Sequence, residues 1–358
     1  MKYLLLVGFV FVFMSGPTIF RYATWRALIG GTAEAQTVPF YQSKTIRLIV
    51  GTTPGGGYDR WARFFARYMP KYIPGNPDLI VQNMPGAAGM TAVNYIYGVV
   101  KPDGLTIGMT PRNMAIDQLA GVKEVSYDVR KLNWIGTPAK GFQLLYVRAD
   151  SPYKSIEDIL KAPEPPKCGN TAADGGSYVV AKILEETLGA KLTLVSGYLG
   201  GNEADLAVEK GEVVCRGNAL DSHFTREPFL SWHKKDFDRH IFVDSPKRDP
   251  RAPDAPTLAE LMDKYKTPES SRRVARVLLA GAEFGWPIVA PPGVRAERVK
   301  ILRAAYDKAA RDPELLAEVK KHRLTLDPTS GEELQALAAD VLDQPPDVVR
   351  RVKNILGK

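Results

Sequence analysis

The chain has 358 residues, of which 45% are hydrophobic and 25% charged, an ordinary globular composition with enough length for two domains. Its formal charge of +8 comes from Lys and Arg spread over helical faces rather than gathered in one run, which argues against a nucleic-acid partner and fits attraction of anionic ligands. Two cysteines and four histidines form no HExxH or paired motif, so neither a metal nor a cofactor is expected, and each histidine reads as a surface or packing residue.

Met1-Lys2 opens the chain, followed by an apolar run over 3–14 that is short for a membrane span and typical of an export-signal core. A small-residue cleavage site, Ala33-Glu34-Ala35, lies well beyond that run, with Arg21 and Arg26 between. Three readings stay open: a later start such as Met14, cleavage at an earlier bond, or retention as an anchor. Residues 1–35 are read as the export signal, and removing Lys2, Arg21, Arg26 and Glu34 leaves a mature charge of +6. Nothing after residue 40 is apolar enough to span a membrane.

From Thr45 onward short β-rich runs alternate with helical ones: strand 46–50, helix 60–69, strand 79–82, helix 92–99 and strand 106–109. This is the grammar of an α/β, largely parallel sheet. On the first helix Trp61, Phe64, Phe65 and Tyr68 follow i, i+3, i+4, i+7 spacing, which makes a buried stripe rather than a cofactor box. A second series starts after Pro152, with helix 156–161, a Pro-rich link 163–166, strand 167–170, helix 176–188, strand 191–195, helix 203–210 and strands 213–217 and 241–244. The C-terminal part runs from a strand-like 286–290 into helices, with Val299, Leu302, Tyr306 and Ala309 on one face. It lacks strands for a third sheet. The economical arrangement has these helices completing the first lobe, leaving two crossing segments near 136–147 and 278–290 as a hinge. The lobes are then 36–140 with 283–358, and 141–282.

The loop Thr53-Pro54-Gly55-Gly56-Gly57-Tyr58-Asp59 lies between the first strand and the aromatic-striped helix. Successive glycines let the backbone approach a ligand and aim amide hydrogens at it, and the helix N-terminus behind adds partial positive charge, which suits a carboxylate. Asp59 is suited either to cap the helix or to accept a hydrogen bond from a ligand hydroxyl. The loop has no GK[ST], no G-x-G-x-x-G spacing, and Asn83 rather than an acid ends the second strand. A nucleotide site is therefore excluded. A similar turn, Asn170-Thr171-Ala172-Ala173-Asp174-Gly175-Gly176-Ser177, sits in the second series. Two such turns at the carboxyl ends of strands would clamp an anion from both sides. A hydrolase built on Ser177 would need glycine at Val179 and a placed histidine.

Spread along the chain are Pro54-Gly55-Gly56 with Asp59, Asn83 with Pro85-Gly86-Ala87-Ala88-Gly89, Pro102-Asp103-Gly104-Leu105-Thr106, Gly197-Tyr198 with Gly200, Lys210-Gly211-Glu212-Val213, Pro256-Thr257-Leu258-Ala259-Glu260 and Ala290-Pro291-Pro292-Gly293. As an ordered set these resemble the tripartite tricarboxylate transporter receptors, the TctC-like or Bug family of periplasmic solute-binding proteins. The resemblance implies a two-lobed type II periplasmic-binding-protein fold, with two mostly parallel sheets, closing on a small organic carboxylate. It also implies delivery to the membrane subunits of a tripartite transporter, without catalysis, by a monomer. By position it directs the site to the first turn, to Gly86, Ala87, Ala88 and Gly89, and to Thr171 through Ser177. Arg112, just after the 106–109 strand, is expected either to contact or steer the anion or to be a surface arginine, and Asn113 and Asp221 complete the expected set.

The chain departs from the family pattern in having only Thr171 and Ser177 as hydroxyls at the second turn, and in reading Gly285-Trp286-Pro287-Ile288 in the late segment. The resemblance further implies adjacency of the strands carrying Cys168 and Cys215, so that these are a disulfide or two packed thiols. Presentation of the solute to a membrane sensor and, with less support, an exported hydrolase or lyase are the alternatives.

Overall fold

The computed structural model describes residues 39–55, 57–170, 176–198 and 201–357. The expected export signal, Gly56 and most of the second glycine turn, residues 171–175, lie outside the described residues. In chain order, β1 (Thr45–Val50), α1 (Gly57–Tyr68), β2 (Asp78–Asn83), α2 (Met90–Gly98), β3 (Thr106–Met109), α3 (Met114–Ala120) and β4 (Asn133–Thr137) come first. There follow β5 (Gln143–Arg148), α4 (Ile156–Lys161), β6 (Lys167–Asn170), α5 (Gly176–Leu188), β7 (Thr193–Ser196), α6 (Gly201–Lys210), β8 (Cys215–Ala219), α7 (Leu220–Thr225), α8 (Phe229–His233) and β9 (Asp238–Val243). The chain ends with α9 (Leu258–Lys264), α10 (Glu269–Phe284), β10 (Ile288–Ala290), α11 (Ala296–Ala309), α12 (Pro313–Lys321), β11 (Thr329–Ser330), α13 (Gly331–Leu342) and α14 (Pro346–Leu356).

Local chemistry sets many of these boundaries. Thr257 and Ser330 each form a capping box, with Glu260 and Glu333 respectively, and Ser155 and Asp312 cap α4 and α12. The stripe Trp61, Phe64, Phe65 and Tyr68 is buried as its spacing requires, with Phe65 stacked on Tyr306 of α11 at 5.0 Å. Val299, Leu302, Tyr306 and Ala309 form the buried face of that partner helix.

The strands make two sheets, β11-β4-β10-β3-β1-β2 and β7-β6-β8-β5-β9. The expectation of mostly parallel sheets holds for half of each. Strands β2-β1-β3 and β7-β6-β8 are parallel, whereas β10 pairs antiparallel with β3 and β4, and β5 pairs antiparallel with β8 and β9. Strands β10 and β5 each follow a crossing, where the chain enters a sheet from its far partner instead of through a βαβ turn, and the short β11 also pairs antiparallel with β4. Strands β4 and β5 themselves occupy much of the expected 136–147 crossing, which narrows it to 138–142.

Register places both crossings at one edge. Strand β4 runs in the direction of β3 and ends at Thr137, while β5 starts at Gln143 opposite Ala219, the last residue of β8. The return crossing enters β10 at Ile288, opposite Met109, the last residue of β3. The chain thus leaves and re-enters each sheet at the carboxyl ends of its parallel strands, so the two carboxyl edges meet at the crossings. A hydrophobic cluster containing Ile49, Trp134, Leu145, Cys168, Leu278 and Val352 runs through both sheets, and helices α10 and α14 join them. Here Tyr178 of α5 donates to the Ile355 carbonyl at 2.5 Å, and Arg351 of α14 pairs with Glu186 of α5. No helix among the described residues is long and apolar enough to cross a membrane.

Candidate ligand cleft

The first glycine turn follows β1, and Gly55 takes φ +90°, a left-handed conformation that favours glycine. Asp59 does not cap α1. It sits inside the first turn of the helix, buried, and reaches back to accept the Gly55 amide hydrogen at 2.9 Å. Its carboxylate also accepts from Asn83 Nδ2 at 2.9 Å and from Arg63 at 2.9 and 3.0 Å. Arg63, followed by the Gly55 and Asn83 donors, holds the Asp59 carboxyl down at about 2 despite burial. Asp59 is therefore the anchor of the turn, and one of the glycine amides expected to face a ligand is committed to it.

Tyr58 links this turn to the loop after β3 and to the return crossing. Its hydroxyl accepts the Arg112 amide hydrogen at 3.1 Å and lies 3.5 Å from the Gly285 carbonyl, to which it donates. Burial raises its pKa. Gly57 opens α1 with Trp286 Nε1 beside it, while Thr53 and Pro54 are exposed. The 86–89 segment packs on the end of β1, where Gly51 and Gly89 backbones touch. Ala87 and Ala88 have φ of 46° and 53° between two positive-φ glycines. Two consecutive left-handed alanines are sterically costly, and such outliers concentrate at ligand sites.

Arg112 lies at the carboxyl edge of the first sheet, as its position after β3 requires, and Nη1 donates to the Gly141 carbonyl of the crossing at 3.1 Å. Among the described residues its other guanidinium hydrogens have no protein acceptor. The Asn113 amide oxygen packs against Gly281 of α10. Asp221, on α7 after β8, accepts from Arg251 at 3.0 Å and from the Thr325 hydroxyl at 3.3 Å, tying the second sheet's edge to the C-terminal segment.

In the second turn Gly176 starts α5. The buried Ser177 hydroxyl donates to the Gly169 carbonyl at 2.6 Å and accepts from Gly217 N at 3.0 Å, clamping α5 to β6 and β8. No histidine partners it, so it offers no activated nucleophile. Cys168 and Cys215 face each other in the β6–β8 register with Cα atoms 4.4 Å apart and are joined as a disulfide.

Of four polar groups left unpaired near strand ends, the sequence points only to Asn170, which opens the second glycine turn. Thr52 Oγ1 after β1, Thr110 Oγ1 after β3, Asn170 Oδ1 ending β6 and Asn218 Nδ2 in β8 are buried with no hydrogen-bond partner among the described residues. All four lie toward carboxyl edges. Buried polar atoms are rarely left unpaired, so such a set calls for a polar occupant. Asp244, just past β9, was also missed; it accepts from Gln143 N at 2.6 Å, and burial pushes its carboxyl up to about 7 although Arg112 nearby pulls the other way. Only the strand-end position could have pointed to these residues, since Thr and Asn are common in any turn.

The histidines also depart from expectation. His223, His233 and His240, unrelated by sequence spacing, gather around Asp238.

The profile of the "Tripartite tricarboxylate transporter family receptor" (TctC) matches residues 62–353. No curated protein sequence is similar enough to add to this. Among solved structures, a ligand-free TctC solute-binding protein from Polaromonas is 21% identical, with a TM-score of 0.69, covering 88% of this chain and 99% of that one. MatC from Rhodopseudomonas palustris with bound malate is 18% identical, TM-score 0.56, over 87% and 99% of the two chains. A second R. palustris protein, with adipate, is 19% identical, TM-score 0.58, over 86% and 97%. The two sheets flanked by helices are thus the two-lobed periplasmic-binding-protein architecture, in a family of solute-binding receptors rather than of enzymes. With the profile covering most of its length, the chain belongs to the tripartite tricarboxylate transporter receptor family.

Proposed function

We propose that this protein is exported by its N-terminal segment, acts without catalysis as a monomer, captures a small organic carboxylate where the two carboxyl edges meet, and hands it to the membrane subunits of a tripartite transporter. The lobes would be 36–140 with 283–358, and 141–282, closing over the 138–142 and 285–287 crossings. The observation that carries the reading is the set of unpaired buried hydroxyl and amide groups, Thr52 and Thr110 from one sheet and Asn170 and Asn218 from the other, with Arg112 beside the crossing. Hydroxyls, amides and a guanidinium are what a carboxylate needs, and burial strengthens each bond. Malate and adipate in two structural relatives support an acid of that size class.

A thermal-shift screen of mono-, di-, tri- and aromatic carboxylates should find a stabiliser, worth about 2.7 kcal/mol at 100 times Kd. Arg112→Ala should then lose affinity at least tenfold. Stabilisation by sugars or cationic amino acids alone, with no acid active, sinks the carboxylate reading; wild-type affinity in Arg112→Ala removes Arg112 from the site.

A further inference from the structure

Away from the cleft, His223 on α7, His233 ending α8, and Asp238 and His240 on β9 aim their tips at a common point. Asp238 and His240 are two apart on a strand, so both project from one face. Asp238 Oδ2 lies 2.7 Å from His223 Nε2, 3.5 Å from His240 Nε2 and 3.8 Å from His233 Nε2, and the His223 and His240 Nε2 atoms are 3.1 Å apart. One ligand atom from each residue fits within a 4.8 Å limit on every pairwise distance. A tetrahedral zinc ion with bonds of about 2.0–2.1 Å separates its ligand atoms by about 3.3–3.4 Å, the middle of this observed range.

A hydrogen-bonded network alone accounts poorly for the cluster. Among the described residues His233 Nε2 and Asp238 Oδ1 are buried without a hydrogen-bond partner, and imidazole nitrogens converging on one carboxylate oxygen exceed what it can accept well. The rings sit in an aromatic surround, with Tyr146, Phe224 and Phe229 packed on them. Among the described residues His223 Nδ1 has no partner, and Tyr146 and Phe229 pack against that ring. The His240 side chain keeps 18% exposure and the His233 side chain 25%; His240 also lines a surface hollow of about 310 Å³, a route for entry.

We propose that His223, His233, Asp238 and His240 form a four-coordinate site for a zinc-class divalent cation, fastening the edge strand β9 to α7 and α8. Three imidazoles and one carboxylate, without thiolates, suit Zn²⁺ and exclude the all-oxygen preferences of Ca²⁺ and Mg²⁺.

The test uses the full chain without a polyhistidine tag, stripped by chelator and dialysed. Calorimetric titration with Zn²⁺ should show one equivalent bound and a melting temperature raised by on the order of several degrees at saturation. Mg²⁺ and Ca²⁺ should do neither. Co²⁺ in the wild type should give the visible absorption of a tetrahedral site, a readout independent of any variant. His233→Ala and His240→Ala, the two partly exposed ligands, should lower Zn²⁺ affinity by more than the about 10–100-fold that loss of an outer partner costs, with the metal-free circular dichroism unchanged. Substoichiometric zinc in the wild type, or unchanged uptake in the doubly substituted chain, overturns the proposal.

Discussion

The two strand-to-helix turns look alike in sequence and are built on opposite plans. In the first, a carboxylate within the helix anchors the turn: Asp59 gathers Gly55, Asn83 and Arg63. In the second, a neutral hydroxyl fastens the helix start to the sheet, with Ser177 bound to Gly169 and Gly217, and the disulfide locks the two strands beneath it. The polar side chains that looked most like ligand contacts are spent on holding the turns. In the proposed site that leaves backbone, Arg112 and the unpaired Thr and Asn groups at the strand ends to meet the ligand. A receptor benefits from this division, because a turn held by its own side chains does not have to be ordered at the expense of binding energy.

Breaking the second turn's support should have the largest effect. Replacing both cysteines by alanine opens a loop with a sequence separation of 47 and should cost about 2–4 kcal/mol of stability, measured by urea denaturation with and without reductant. The reductant should act on the wild type alone. Asp59→Ala should come next, at about 2–3 kcal/mol, because it strands the Gly55 amide and the Asn83 side chain.

Asp59 also sets a pH dependence. Its folded pKa is depressed to about 2 from the ordinary 3.8, so its contribution is complete above about pH 4 and is lost as pH falls toward 2. Acid unfolding of Asp59→Asn should lack that component.

The smallest changes sharpen the contrast most. Ser177→Ala should lose about 1–2 kcal/mol of stability with ligand affinity kept. Thr110→Val, which removes an unpaired hydroxyl of the same shape, should leave stability unchanged or raised and weaken carboxylate affinity about tenfold, near 1.4 kcal/mol. The reverse pattern, measured by melting and calorimetry on the same proteins, would exchange the roles assigned to the two residues.

Much of the scaffold was legible because it rests on local rules. Helices 156–161 and 176–188 and strand 167–170 fall where periodicity and flanking turns place them, and the aromatic stripe of α1 is buried as spacing requires. The lone Arg after β3 was legible as an edge residue because strand direction alone puts it there. Strands β4 and β5 were not, since they are short runs read as crossing segments, and their antiparallel pairing depends on partners far along the chain.

The sequence by itself determined the α/β grammar, the two glycine turns, the two-lobed family and the absence of a nucleotide loop, all of which depend on neighbours within a few residues or on an ordered set of short motifs. Only the tertiary structure decided which polar groups are spent and which are free. Asp59 and Ser177 are claimed by partners that packing supplies, whereas Thr110 Oγ1 and Asn218 Nδ2 are buried without one among the described residues. The same holds for His223, His233 and His240, which meet at Asp238 because α7, α8 and the edge strand fold onto one another. Such convergence is set by long-range geometry and leaves no periodic trace in the chain.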